Sequence, residues 1–443
     1  MIRLIYDNLD TPNASACEGI FKNDTLGGIL SDFPDNYVKQ TLGSYDKNTN
    51  GYYAVSPSWA DISFGISGPG FIKFVSPEAL TRLQDPEDGL KLLIFFAWEG
   101  FDLEFKNHLL INYINLLISN YNINGEKIFF IFGDINVKQT LKLTPVKLNI
   151  PDNNVLGING FEWVACQDLR KLNFKPSLGD ALNRNKKFLC KNGVARPQRM
   201  YLAGAFYNKE LLDKFYFSWL NHTKWKYDDH ILYAFSKYNN GKINKEFMNS
   251  FLEFIKDEPY ILDITSKEAT DRKNQIYNNT KLYNDSYASL VTETVVDSYN
   301  KGVLFVSEKT YQPIYNLHPF INVGSPGILK FLKSNGYATF PELFDESYDE
   351  IKDCSTRIHK IITEVEKFCN IDNKILDDIY SSKTFQDKLI HNITNFKNSK
   401  GKKDLEKIVK WLASYGNTDS KVVDTYWRYE NIEEDHSLYR KNE

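Results

Sequence analysis

Between Arg184 and Arg199 the chain carries Arg184, Lys186, Lys187, Lys191, Arg196 and Arg199 and no acidic residue. These charges flank a short apolar strand, a Lys191-Asn192-Gly193 loop and a helix start marked by Pro197. A helix N-terminus exposes unpaired N–H groups and a partial positive charge, and arginines add bidentate recognition of phosphate oxygens. Placed where a strand turns into a helix, the set suits a diphosphate, with Lys187, Arg196 and Arg199 as its ligands. The competing reading is a solvated basic strip.

Two further segments end apolar strands in polar residues. Ser289–Val296 contains Glu293, and Leu304–Ile314 contains Ser307, Glu308 and Lys309. A carboxylate at a sheet's carboxyl edge accepts hydrogen bonds from ribose or sugar hydroxyls, and an adjacent lysine neutralises a phosphate. Helix capping by Ser and Glu is the alternative. A third segment, His318–Gly327, runs into glycines that let backbone approach a ligand closely, and the turn Phe344–Asp349 is acidic. His318 itself reads as a packed or surface histidine.

The elements that must position these residues alternate strand and helix. Leu92–Ala97 and Lys127–Phe132 are continuous apolar runs joined through a helical pattern over His108–Asn120, a βαβ unit with parallel strands. Ile2–Tyr6 is a further strand. Glu99, in the loop after Leu92–Ala97, is the candidate base, with Asp102 and Asp134 as rivals. Residues 140–183 read as a connection that holds a strand at Gly160–Ala165. Further strands are expected at Lys187–Cys190, Ala288–Val291, Gly302–Val306 and His318–Gly324, and a helix at Arg196–Phe206. Residues 347–394 read as helical and solvent-facing, and Lys402–Ser414 as a packing helix. The division expected is an acceptor-side α/β domain with linker over 1–183, a ligand-binding α/β domain over 184–350 and a helical segment over 351–443.

Composition narrows the classes. The 443 residues are 42% hydrophobic and 25% charged, values of a folded globular chain. With 54 Lys+Arg against 57 Asp+Glu the net charge is -3, which gives no global attraction to nucleic acid. The longest apolar run is too short to span a membrane, and the first residues lack the pattern of a secretory signal, so a cytoplasmic protein is expected. The five cysteines are scattered without a Cys-x-x-Cys pair, and the seven histidines form no metal-binding motif. No metal site is expected.

Taken together, Lys186–Arg199 (Lys-x-Phe-Leu-Cys-x-Asn-x-x-x-Arg-Pro-x-Arg), Thr292-Glu293-Thr294, Ser307–Thr310 before His318-Pro319-Phe320, and Phe344–Asp349 resemble the donor half of GT-B glycosyltransferases. The likeness is to fucosyltransferase-like enzymes, and more so to uncharacterised glycosyltransferases encoded by large-tailed bacteriophages. Thr294 stands where the fucosyltransferases have Asn. The resemblance implies a GT-B-like α/β fold, two Rossmann-like domains facing a central cleft. It also implies transfer of a sugar from a nucleoside-diphosphate sugar, without a required metal, to an acceptor hydroxyl on a glycan or undefined acceptor. For a phage-encoded enzyme the compartment would be the host cytoplasm. Lys187, Arg196, Arg199, Glu293, Ser307, Glu308 and Lys309 would bind the donor and Glu99 would act as base. Hydroxymethylated bases of viral DNA are the alternative acceptor, and a catalytically silent GT-B-fold binding or scaffold protein the alternative class.

Overall fold

The computed structural model describes residues 1–7, 37–55, 75–96, 107–144, 146–172, 178, 182, 184–220, 227, 230–263, 280–296, 302–399 and 402–415. They form a mixed α/β protein with two parallel sheets in two compact units. The first unit takes the described residues up to Val164 together with 302–305 and 402–415. The second takes those from Ala165 to 296 and from Val306 to 399.

The first sheet contains β1 (Ile2–Tyr6), β2 (Tyr37–Thr41), β3 (Gly51–Val55), β4 (Leu90–Phe96), β5 (Ile128–Phe132) and β6 (Val155–Gly157), in the order β2-β1-β3-β4-β5-β6. All its pairings are parallel. β4 and β5 are nearly all apolar because a parallel sheet is covered on both faces. Helix α1 (Pro77–Gln84) starts where Ser76 accepts from the Ala79 N–H and proline fills the first helical position. Helix α2 (Asn107–Asn120) buries Leu110, Ile111, Ile114 and Leu117, one apolar stripe. One core joins Leu4, Tyr52, Phe95, Phe129 and Trp163 to Ile408 and Leu412 of the closing helix, Lys402–Tyr415. The Tyr52 hydroxyl donates to Leu412 O at 2.9 Å, so the packing helix belongs to the first unit.

The second sheet contains β7 (Lys186–Asn192), β8 (Phe215–Trp219), β9 (Ser286–Thr292) and β10 (Phe320–Val323), all parallel, in the order β10-β9-β7-β8. Helix α3 (Pro197–Asn208) connects β7 to β8 and packs on α4 (Lys245–Phe254). The contact is close because Gly204 has no side chain: a Cβ there would lie 2.3 Å from Phe247 O. Helix α5 (Glu308–Tyr315) connects β9 to β10, and α6 (Ile328–Ser334) follows β10. Helix α7 (Cys354–Cys369) buries Ile358, Ile361, Val365 and Phe368, with the Phe368 ring 4.9 Å from that of Phe188. The helices over 354–399 therefore each present a buried face, where the sequence suggested solvent-facing ones.

Two other expectations change. Gly160–Ala165 opens a helix, Gly160–Leu172, because a window of six residues cannot separate strand from helix periodicity. Gly302–Val306 is not a strand and joins no sheet, since its backbone bonds go elsewhere. Leu304 N donates to Asp134 Oδ1 at 3.0 Å, Ile135 N donates to Leu304 O at 3.0 Å, and Asn136 Nδ2 donates to Gly302 O at 2.9 Å.

Asp134, fully buried, also accepts from Asn136 N and the Thr140 hydroxyl. Burial raises its pKa to about 6 despite these donors. The folded protein thus binds this proton more readily than the unfolded chain, so the Asp134 contribution to stability grows as pH falls from about 6 to about 4. Asp134→Asn keeps an acceptor for both N–H groups and should lose that pH component, read by denaturant melts at each pH. Asp134→Ala strands three donors and should cost roughly 3 kcal/mol or more.

Candidate functional site

In the second sheet the strand order reverses between β7 and β9, because β8 lies on one side of β7 and β9 with β10 on the other. Crevices at the carboxyl ends of such strands are where open α/β sheets bind ligands. The segments leaving this point are Gly193–Arg196, which leads into α3, and Glu293–Ser307, which leads into α5. Arg196, Glu293 and Ser307 lie on these two exits, and Arg199, Glu308 and Lys309 in the first turns of the helices they lead into.

Their roles differ. Glu293 is completely buried and accepts from Ser307 N at 3.1 Å, Ser307 Oγ at 2.5 Å and Thr310 Oγ1 at 2.6 Å. It fastens the end of β9 to the first turn of α5. Ser307 in turn caps α5 by accepting from Lys309 N at 3.3 Å. Asn322 Nδ2 on β10 donates to Thr310 Oγ1 at 2.7 Å, extending the network across β10. Gly324 is required beside it: a Cβ there would sit 2.6 Å from Asn322 Oδ1 and 3.2 Å from Glu293 Cγ. The glycine approaches the protein's own carboxylate.

Glu308 and Lys309 pair at 2.6 Å, each side chain about one-third exposed (32% and 31%). Burial alone would raise the Glu308 pKa, but Lys309 and, further off, Arg199 hold it below the ordinary carboxylate value. Among the described residues, this pair brings accessible charge to the second exit. On the first exit, Arg196 occupies the N-cap of α3, half-buried, and its side chain makes no capping bond. Pro197 follows at the first helical position and no acidic residue stands in the first turn of α3, so the helix start carries cationic and N–H character. Arg199 is buried behind it, donating to Val194 O at 2.9 Å and Thr292 O at 2.9 Å. Burial first, then the neighbouring Arg196, lowers its pKa to about 10, which leaves it charged at neutral pH.

Lys187 is not part of this group. It sits near the amino end of β7, about 17 Å along the strand from Asn192. Its ammonium donates to Ile371 O and Asn373 Oδ1, and burial lowers its pKa. Arg184 donates to the carbonyls of Tyr283 and Ser286, and Lys191 pairs with Asp263 at 3.0 Å. Most of the basic segment therefore staples the second unit, which neither the diphosphate reading nor the solvated-strip reading anticipates.

The third segment is structural as well. His318 Nε2 meets Ser286 O at 2.8 Å and so carries the proton, while Nδ1 accepts from the Ser289 hydroxyl at 2.8 Å. Burial and, further off, Arg184 lower its pKa to about 3. The start of α6 is filled by Asp349, which accepts from Leu329 N and Lys330 N at 3.0 Å each. In the acidic turn Glu346 accepts from Phe340 N and Thr339 Oγ1. These carboxylates cap their own chain.

Glu99 and Asp102 lie outside the described residues. The first sheet has its own reversal, between β1 and β3, and Asp7 directly follows β1 there. Asp7 accepts from the Tyr53 hydroxyl on β3 and from Ser76 Oγ at 3.1 Å. Sequence reasoning passed over Asp7, although its strand was recognised, because only the strand order marks it.

Among the described residues no group of three or more His, Cys, Asp or Glu side chains could hold a metal ion, and no helix is long and apolar enough to cross a membrane. Comparison with family models, with curated proteins and with solved structures finds no match to this chain.

The division between a buried clamp and an accessible pair has a measurable consequence. Glu293→Gln keeps one carbonyl acceptor but sets an amide donor against at least one of the existing donors, and should lower unfolding free energy by about 1–3 kcal/mol. Glu308→Gln should change it by less than about 1 kcal/mol. Urea unfolding of both variants checks the contrast.

Proposed function

We propose that the protein is a nucleotide-sugar-dependent glycosyltransferase of the GT-B kind, and that its second unit binds the nucleoside diphosphate at the β7–β9 reversal. The observation that carries this reading is the meeting, at the two exits from one reversal, of Arg196 at the N-cap of α3, buried Arg199 and the Glu308–Lys309 pair. Arg196, the α3 N–H groups and Lys309 would stabilise the diphosphate as charge develops on it, and Glu308 would orient ribose or sugar hydroxyls. Arg199, Glu293 and Ser307 act behind them, holding the exits in shape. Lys187 takes no part.

In the reaction the bond between the anomeric carbon and the diphosphate oxygen breaks, and the diphosphate leaves with the electron pair. The acceptor oxygen bonds to the anomeric carbon, and its proton passes to a general base, for which Glu99 is the candidate. The acceptor favoured is a glycan or another hydroxyl-bearing molecule, since the net charge of -3 offers DNA no global attraction. A silent binding or scaffold protein is the second reading. In its favour, Glu293, Ser307, Arg199 and Lys187 are all committed to internal bonds.

Thermal melts with UDP, GDP, CMP and their sugars separate the two. A ligand at about 100 times its Kd adds roughly 2.7 kcal/mol, a rise of several degrees in Tm. One nucleotide should produce it, and Arg196→Ala should weaken that nucleotide about tenfold. A chain that responds to none of them is the scaffold.

A further inference from the structure

The segment Thr292–Val296, leaving β9 at the reversal, has its carbonyls gathered by three buried side chains. Arg199 Nη2 donates to Thr292 O at 2.9 Å, and Gln198 Nε2 donates to Glu293 O at 2.9 Å and to Thr294 O at 3.3 Å. Arg357, on α7, donates to Val296 O. Gln198, Arg199 and Arg357 are at most 4% exposed.

A trans peptide is planar, so the N–H of each following residue points opposite the carbonyl it is joined to. Two successive carbonyls drawn to one Gln198 nitrogen turn the N–H groups of Thr294 and Val295 away from Gln198. Glu293 N is used on Val323 O, but the N–H groups of Thr294 and Val295 have no partner among the described residues. Successive N–H groups presented by a short irregular segment make an anion-binding concavity.

Charge behind the segment has the matching sign. Arg357 is 1% exposed, and its hydrogen-bond partners are the neutral carbonyls of Ile351, Lys352 and Val296, with Asp353 near enough to feel its charge. A buried cation held by carbonyls keeps much of its field, because no directly bonded carboxylate cancels it.

We infer that Gln198 and Arg357 are positioning residues that shape Thr292–Val296 into a backbone cradle, with the N–H groups of Thr294 and Val295 taking diphosphate oxygens. The inference rests on the donor-site reading above. Neither side chain touches the ligand; one aims the peptides and the other holds their far end under a positive field.

The test is calorimetric titration of the full chain with UDP, GDP, inorganic pyrophosphate and the matching nucleoside. Gln198→Glu removes the Nε2 donor at nearly constant size. It should raise the Kd of the nucleoside diphosphate and of pyrophosphate about tenfold or more while leaving the nucleoside unchanged. Arg357→Met should weaken the diphosphate selectively, and Arg357→Lys, which restores charge and one donor, should recover most of the loss. Equal weakening of nucleoside and diphosphate, or no weakening in Gln198→Glu, overturns the cradle. Should Gln198→Glu unfold below the titration temperature, the Arg357→Met and Arg357→Lys pair decides by the same two criteria. A wild-type chain that binds none of these diphosphates overturns the donor reading itself, a result distinct from the loss of the cradle alone.

Discussion

A carboxylate without solvent exposure, Glu293, holds together the edge on which the proposed chemistry depends. A buried carboxyl group is costly unless donors reach its oxygens, and here a backbone N–H and two hydroxyls do so. The result ties the exit of β9, the cap of α5 and, through Thr310 and Asn322, the neighbouring strand β10. Once those are fixed, the Glu308–Lys309 pair projects from a rigid helix start. The accessible chemistry is thus supported by a group that does not itself face solvent.

A second constraint concerns the basic residues. A run of positive charge is usually pictured as a surface field, yet Arg184, Lys187 and Arg199 all turn inward onto carbonyl oxygens. Buried guanidinium groups with neutral partners are expensive, and an interior that keeps them gains positive potential near the segments they hold. Around the β7–β9 reversal that potential comes from Arg199 and Arg357, with Glu293 offsetting part of it. An anion at the exits would meet both the exposed charges and this field.

Much of the scaffold was legible in the sequence. β4 and β5 announce themselves as apolar runs, and the stripe of Leu110, Ile114 and Leu117 gives the helix between them. The polar residues Glu293 and Ser307 meet where β9 leaves its sheet, one accepting from the other. Less legible was the division of labour among those residues. Whether Ser307 caps, binds a ligand or anchors Glu293 depends on atoms from β9 and α5 meeting in space. Lys187 misleads for the same reason: alternation along β7 fixes its face but not the carbonyls of Ile371 and its neighbours, far along the chain. Asp7 stayed hidden because only the order β2-β1-β3 makes its position special. Gly302–Val306 has strand composition but pairs with the end of β5 through single bonds, a choice made by Asp134 rather than by local propensity.

The most direct measurement is a hydrogen-exchange footprint of the full chain with and without a saturating nucleoside diphosphate. Slowed exchange concentrated in residues 193–199 and 292–309, the two exits from the β7–β9 reversal, is the expected result. Bound diphosphate that leaves both stretches unchanged and protects another part of the chain would contradict the assignment of this edge.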